Sequence, residues 1–368
     1  MKVMFIVYHD IRTNARSQEI LECAKRLGDD TIFVSYSKPF NDFGCKCILT
    51  GKGKRDYFTF IRDSIKAIKV ENPNIVILHD NYTAAILRWL HKRRKNIYVI
   101  YDSSELYIDR KYKSLKMIIA NHMKYFEKKY LRYANIVIAA NIERANIMKE
   151  YFELNETPLV FDNMRRIHDN YDVLECNKKY GHLFSDDTFC IVYAGGIRKP
   201  RMTFELAEAV GNLGYDYRLV VVGPSNDAEK KQFYSLIKGR SFNNVFYLGF
   251  IPRNEWRYML NRANISVSVF AQDTVNNINC ASGKLYESLF EGTPILTSEN
   301  PPLKLICNEF KVGVSNNCFE KGILELNHNF NFYCKNVQTY IKTLNTKERI
   351  YTLIKIINEK IKLDIGVG

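Results

Sequence analysis

Apolar and polar positions alternate along this chain in two rhythms. Short runs rich in β-branched residues, apolar on both faces, recur between longer stretches with helical spacing. In the first half the runs predict strands at Val3–Tyr8, Thr31–Ser35, Ile75–His79, Ile97–Tyr101 and Ile136–Ala139. In the second half they predict strands at Phe189–Tyr193, Tyr217–Val222, Val245–Leu248, Ile265–Phe270 and Pro294–Thr297. Strands buried on both faces and separated by helix-length segments belong to parallel sheets built from βα units. The pattern occurs twice, so the expected fold class is α/β, with two doubly wound, Rossmann-like domains.

Length agrees, since 368 residues exceed one ordinary core. The expected organisation is an N-terminal domain over 1–165, a linker over 166–187, a C-terminal domain over 188–340 and closing helices over 341–368 that pack back on the first domain. The linker is placed by the polar, basic stretch "NMRRIHDNYDVLECNKKYGHLFSDD". In the closing stretch isoleucine and lysine recur at helical spacing, which suits docking on a domain or lying on a membrane.

Charge and cysteine content narrow the classes. Residues 1–165 hold 29 Lys and Arg against 19 Asp and Glu, a net +10, and the remainder 25 against 21, a net +4. The first half is therefore the one that faces an anion: nucleic acid, an anionic membrane or a phosphorylated substrate. Nine irregularly spaced cysteines without a CxxC pair argue against zinc ribbons and disulfide scaffolds, and for a reducing cytoplasm. The opening "MKVMFIVYHD" reads as a strand rather than a signal peptide, and no run has transmembrane length. The expected protein is cytoplasmic, soluble or peripheral on the inner face of the membrane.

The candidate chemistry concentrates in Ile265–Ser298, which reads as strand, long loop, helix, turn and strand. The loop Ala271–Ala281 has eleven residues, most of them polar or small, where such connections usually have about 2–6. Long loops at the carboxyl edge of a parallel sheet are where open α/β proteins hold ligands. Lys284, Glu287, Ser288 and Glu291 form one polar stripe on the helix that follows. Two readings stand: an amphipathic helix with an intrahelical Lys–Glu pair, or an anion site at the start of the helix, with Glu287 accepting from a ribose diol. A second glycine site, "AGGIRKPRMTFELAEAV", supports the latter. Gly195 and Gly196 permit a close approach of backbone to phosphate, and Arg198, Lys199 and Arg201 supply the cations a diphosphate leaving group needs without a metal. Neither a P-loop nor a GxGxxG fingerprint is present, which removes support for ATP hydrolysis and NAD binding.

"YAGGIRKPR", "RLVVVGP", "VFYLGFIP", "WRYMLNRANISVSVF" and "SGKLYESLFEGTPILTS" occur in the order seen in retaining glycosyltransferases of the GT-B fold, and the chain resembles their large family 4 group. In the first half "NIVILHDNYTA" and "YVIYDSSELY" are similar to that group's His-Asp and Asp-x-His-Glu segments. The resemblance implies two domains facing each other across a cleft and a nucleotide-sugar donor, UDP- or GDP-linked, as substrate, with no cofactor and no metal. It implies donor contacts from Gly195, Gly196, Arg198, Lys199, Arg201, Gly223, Phe250, Ile251, Ser282, Gly283, Lys284, Leu285 and Glu287. Glu287 takes the ribose, the Ser282–Lys284 turn the diphosphate, and main chain around Gly249–Ile251 the base. The chain departs from the family at Asn279, where a second glutamate is frequent, and at Ser104, where a histidine is.

At the ends of the first-half strands stand His9 and Asp10, His79 and Asp80, and Asp102 and Glu105. His9, Asp10, His79 and Asp102 are expected on the acceptor side, with Asp80, Glu105 and Asn279 as the catalytic positions. Basic segments mixed with aromatics, "LRWLHKRRKNIYV" (Arg88, Lys92, Arg93, Arg94 and Lys95) and "KYKSLKMIIANHMKYFEKKYLRY", suit an anionic lipid surface. The expected acceptor is a saccharide, lipid-linked if that holds, in surface-polysaccharide or glycoconjugate synthesis. A nucleic-acid partner is not expected, because no recognition module appears. The competing readings are a nucleic-acid-binding or catalytically inactive GT-B scaffold and a sugar-nucleotide epimerase.

Overall fold

The computed structural model describes residues 1–37, 44–51, 53, 56–93, 96–109, 118–185 and 187–366. Arg94, Lys95 and residues 111–117 of the basic segments lie outside the described residues. The chain divides into two compact units, Met1–Asn163 with Thr346–Gly368, and Met164–Asn345.

The first unit is a seven-stranded parallel sheet of β1 (Lys2–Val7), β2 (Asp30–Ser35), β3 (Lys46–Leu49), β4 (Ile75–His79), β5 (Tyr98–Ser103), β6 (Ile136–Ala139) and β7 (Leu159–Val160), in the order β3-β2-β1-β4-β5-β6-β7. Helices α1 (Ala15–Leu27), α2 (Tyr57–Glu71), α3 (Ala84–Arg93), α4 (Ile118–Tyr130) and α5 (Ile142–Tyr151) connect the strands. β1, β4, β5 and β6 are buried along almost their whole length, which is why they read as unbroken apolar runs. The chain's last helix, Thr346–Ile365, belongs to this unit, and its Leu353, Ile354, Ile357 and Ile361 join the core formed by Phe5, Ile20, Phe33 and Phe161.

The second unit is a six-stranded parallel sheet of β8 (Phe189–Ala194), β9 (Tyr217–Val222), β10 (Val245–Gly249), β11 (Ile265–Ser268), β12 (Ile295–Thr297) and β13 (Gly313–Ser315), in the order β10-β9-β8-β11-β12-β13. Its helices are α6 (Val173–Tyr180), α7 (Thr203–Leu213), α8 (Asp227–Arg240), α9 (Arg253–Arg262), α10 (Val275–Ile278), α11 (Gly283–Phe290), α12 (Pro301–Phe310), α13 (Phe319–His328) and α14 (Phe330–Ile341). The segment read as a linker carries α6 and lies in this unit, because Ile167, Cys176, Leu183 and Phe184 enter its core beside Trp256 and Met259.

Each sheet changes direction once, between β1 and β4 in the first unit and between β8 and β11 in the second. At such a switch the loops leave the strand ends in opposite directions and open a crevice. His9 and Asp80 follow β1 and β4; Gly195 and the Ala271–Ala281 segment follow β8 and β11.

Candidate functional site

In the second unit, both loops at the switch are rigidly built. Gly195 and Gly196 each donate an N–H to Val222 O, at 3.0 and 2.9 Å. Gly196 has φ +68°, and a Cβ there would lie 2.0 Å from Pro224 O. The close approach these glycines allow in this structure is to the neighbouring loop, and their amides are engaged there. Gly223 closes that loop, donating to Gly249 O at 2.7 Å. The expected long loop contains the short helix α10, capped by Thr274, and Asn279 follows it with Nδ2 donated to Val275 O at 3.0 Å. The two sides of the switch are tied by Ala271 N–H to Pro200 O, 3.0 Å, and by the Arg201 guanidinium lying 4.0 Å over the Phe270 ring.

Helix α11 begins at this junction. Ser282 is its N-cap, accepting from Leu285 N at 3.4 Å, and its Oγ is fixed 2.7 Å from that of Ser268. The amides of Gly283 and Lys284 have no acceptor among the described residues, so the start of the helix offers two N–H groups and the positive end of its dipole. Gly283 leaves room for Arg165, whose Nε lies 2.7 Å from where a Cβ would be. Lys284 is crowded by protein atoms although its side chain keeps access to water. That desolvation first, and then Arg201, Arg165 and Arg198 against the pull of Glu287, brings its ammonium down to about 8. Arg165 is a member the sequence reading missed; Lys199 is exposed and not among the charges acting most on Lys284.

Glu287, one turn into α11, is 7% exposed, and its one ion pair among the described residues is with Arg253 at a long 3.5 Å. A buried carboxylate normally collects several donors. Arg253, at the start of α9, was also missed. Of the residues expected at the base, Phe250 is 76% exposed while Ile251 is buried in the core. Leu285 is a core side chain as well, and so offers a ligand no side-chain contact.

The first unit's centre is of another kind. The parallel register sets Val7 beside His79 and His79 beside Asp102. Arg16 of α1, 1% exposed, holds the Asp102 carboxylate through Nη2 at 2.5 Å and Nε at 3.1 Å, and donates Nη1 to Phe161 O at 2.6 Å and Asn163 Oδ1 at 3.2 Å. His79 adds Nδ1 to Asp102 Oδ2 at 2.7 Å. Burial pushes the Asp102 carboxyl up, but Arg16 and then His79 outweigh it and hold it at about 2. His79 and Asp102 are both fully buried, so their expected place on the acceptor side is corrected: they support the strand ends from behind.

Beside this set, Ser17 Oγ lies 2.5 Å from His9 Nε2 and 3.2 Å from His79 Nε2. Burial, and next His79, lower the His9 imidazole to about 4, so it is neutral at physiological pH. Asp80 has φ 57° and ψ 170°, a conformation costing a residue with a side chain about 1–3 kcal/mol. Both its oxygens accept from Ser104, from N at 2.7 Å and Oγ at 2.6 Å, so this serine braces Asp80. Glu105 is half-exposed and pairs with Arg144 at 3.4 Å. Asp10 is chelated by its neighbour Arg12 and caps a short turn, a local structural role. His9, His79 and Asp80 are the described residues whose ligand atoms come within 4.8 Å of one another, yet Ser17 and Ser104 already engage those atoms.

No profile of a known family and no curated protein sequence matches the chain. Solved structures do. The chain is similar to sucrose-phosphate synthase from Thermosynechococcus elongatus, at 14% identity over 98% of this chain and 99% of that one, with a TM-score of 0.75. It is similar to a glycosyltransferase from Rickettsia africae, at 14% identity, 98% of each chain and a TM-score of 0.73. It is also similar to HepE of Anabaena, solved in complex with UDP, at 12% identity, 98% of this chain, 100% of that one and a TM-score of 0.71. These likenesses extend over both units. Two doubly wound parallel-sheet units in succession, matching glycosyltransferases along nearly their whole length, give this chain the GT-B fold.

Proposed function

We propose that this protein is a retaining glycosyltransferase of the family 4 kind that takes a sugar from a UDP- or GDP-linked donor, with the donor held by the second unit. The observation that carries the reading is Glu287, a buried carboxylate with one long partner, set a single turn behind a helix start where four cations gather. Such an arrangement is complementary to a nucleoside diphosphate. The ribose hydroxyls donate to Glu287, and the diphosphate takes the amides of Gly283 and Lys284 with Arg165, Arg198, Arg201 and Lys284 around it. HepE of Anabaena has been solved with UDP and with UDP-glucose, which supports a nucleotide-sugar in this fold.

The chemistry follows from the charges. As the bond from the anomeric carbon to the diphosphate oxygen breaks, negative charge builds on that oxygen, and the four cations stabilise it in the place a metal ion takes elsewhere. The acceptor hydroxyl forms the new bond on the same face, and its proton passes to the departing phosphate. Asp80, held in its strained conformation by Ser104 at the end of β4, is the first unit's candidate for orienting the acceptor saccharide. The test is a turnover screen with UDP-, GDP- and ADP-sugars and simple saccharide acceptors, the product's anomeric configuration being read by NMR. Retained configuration is expected. Inversion overturns the mechanism, conversion of the donor without acceptor indicates an epimerase, and failure to engage any nucleotide-sugar overturns the reading altogether.

A further inference from the structure

On the first unit, α2, α3 and α4 do not close over one another completely. Between them lies a groove of about 750 Å³, within the range of about 300–1,000 Å³ typical of ligand pockets. Its walls are the side chains of Tyr57, Phe58, Ile61 and Ile65 on α2 and of Ile119 and Phe126 on α4. Phe58 is 72% exposed, and the isoleucines and Phe126 are half-buried. A contiguous apolar face of this kind on a soluble fold marks a binding surface.

Its rim is cationic. Arg62, Lys66 and Lys69 line the α2 side, and Lys66 and Lys69 have no ion pair among the described residues. Arg88 lies over the Phe126 ring at 4.9 Å, and Lys69 over Trp89 at 5.8 Å. Beyond Tyr57 the groove is closed by ring packing toward the strand-end edge. Tyr57 meets Tyr8 at 5.4 Å between ring centroids, and Tyr8 meets Tyr82 at 5.6 Å, immediately before His9 and beside Asp80.

We infer that this groove binds the single hydrocarbon chain of an anionic amphiphile, with its phosphate-bearing head against the cations of α2. A peptide fits the walls poorly, because its backbone N–H and C=O groups would be buried without partners. A neutral lipid leaves the lysines of the rim without counter-charges. Such binding is independent of the transferase reading above.

The binding itself is tested without any donor, so its failure is separable from failure of that reading. Monododecyl phosphate, kept below its micelle concentration, is titrated into the whole protein by calorimetry, with dodecyl maltoside, inorganic phosphate and phosphatidylglycerol vesicles as comparators. Saturable one-to-one binding of the dodecyl phosphate is expected, with the maltoside weaker and phosphate alone silent. Ile65→Asp is expected to weaken binding about 10-fold or more, through a charge placed on the apolar wall. The surface pair Lys66→Glu and Lys69→Glu, which spares the core, is expected to weaken it and remove its salt dependence. Unchanged far-ultraviolet circular dichroism and melting temperature show that the variants are folded. Absence of saturable binding, equal binding by the charge-reversed pair, or binding to vesicles alone overturns the inference.

Discussion

The two units each gather charge at the carboxyl edge of a parallel sheet, and they do it in opposite ways. In the first unit Arg16, Asp102 and His79 form a closed set in which each group is matched at short distance and nothing faces water. In the second, Arg165, Arg198, Arg201 and Lys284 stand around a helix start with Glu287 as the carboxylate, tied to Arg253 at 3.5 Å. A balanced buried set is costly to break, because removing one partner strands a buried charge; the unbalanced, partly open one is where we propose that a charge arrives from outside.

The largest expected effect breaks the closed set. Arg16→Met leaves Asp102 buried without its cation, which should cost about 3–5 kcal/mol in urea unfolding. Lys284→Gln relieves repulsion from Arg165, Arg198 and Arg201 and should leave unfolding unchanged or slightly improved. Equal losses in both units would erase the contrast.

A second buried acid in the first unit sharpens it. Glu127 accepts from Tyr101 OH at 2.6 Å and, through burial above all, titrates at about 8 instead of its ordinary 4.5. Between those values the folded state holds a proton that the unfolded state has released, so stability falls as pH rises from about 4.5 to about 8. Glu127→Gln, which imitates the protonated acid, should flatten this decline in a series of thermal melts. A decline of the same slope in the variant would remove Glu127 as its cause.

The smallest effect concerns the open set. Lys284 is charged below about 8 and neutral above it. Binding a diphosphate raises its pKa, so binding takes up a proton, and affinity for UDP should fall as pH rises past 8. Lys284→Gln should bind about tenfold more weakly at neutral pH and lose that dependence. A native affinity independent of pH would show that Lys284 does not face the phosphates.

Much of this architecture is written in local pattern, and what escaped was nonlocal or short. The strands buried on both faces were legible because runs of β-branched and apolar residues dominate them. β3 was missed because Lys46–Leu49 is an edge strand exposed along most of its length, and β7 and β13 because two or three residues carry no periodicity. β5 runs on to Ser103, past the expected end at Tyr101, since Asp102 is tolerated inside the sheet only by virtue of Arg16, 86 residues away. In the second unit, Ser282, Lys284 and Glu287 stood out because a cap and an i, i+3 stripe are local signals. Arg165 and Arg253 did not, because folding alone brings them to α11. Gly195 and Gly196 were legible as a tight turn, but the partner of that turn, Pro224, was not.

The central proposal is that Glu287, whose one ion pair among the described residues is the long one to Arg253, takes a ribose. Titrating UDP-glucose, and then the GDP- and ADP-linked series, into native protein and Glu287→Ala tests it most directly. Saturable binding by the native protein, weakened about 10- to 100-fold in Glu287→Ala with no loss of melting temperature, is the predicted result. Equal affinity in both proteins, or no binding of any nucleotide-sugar by the native one, would contradict it.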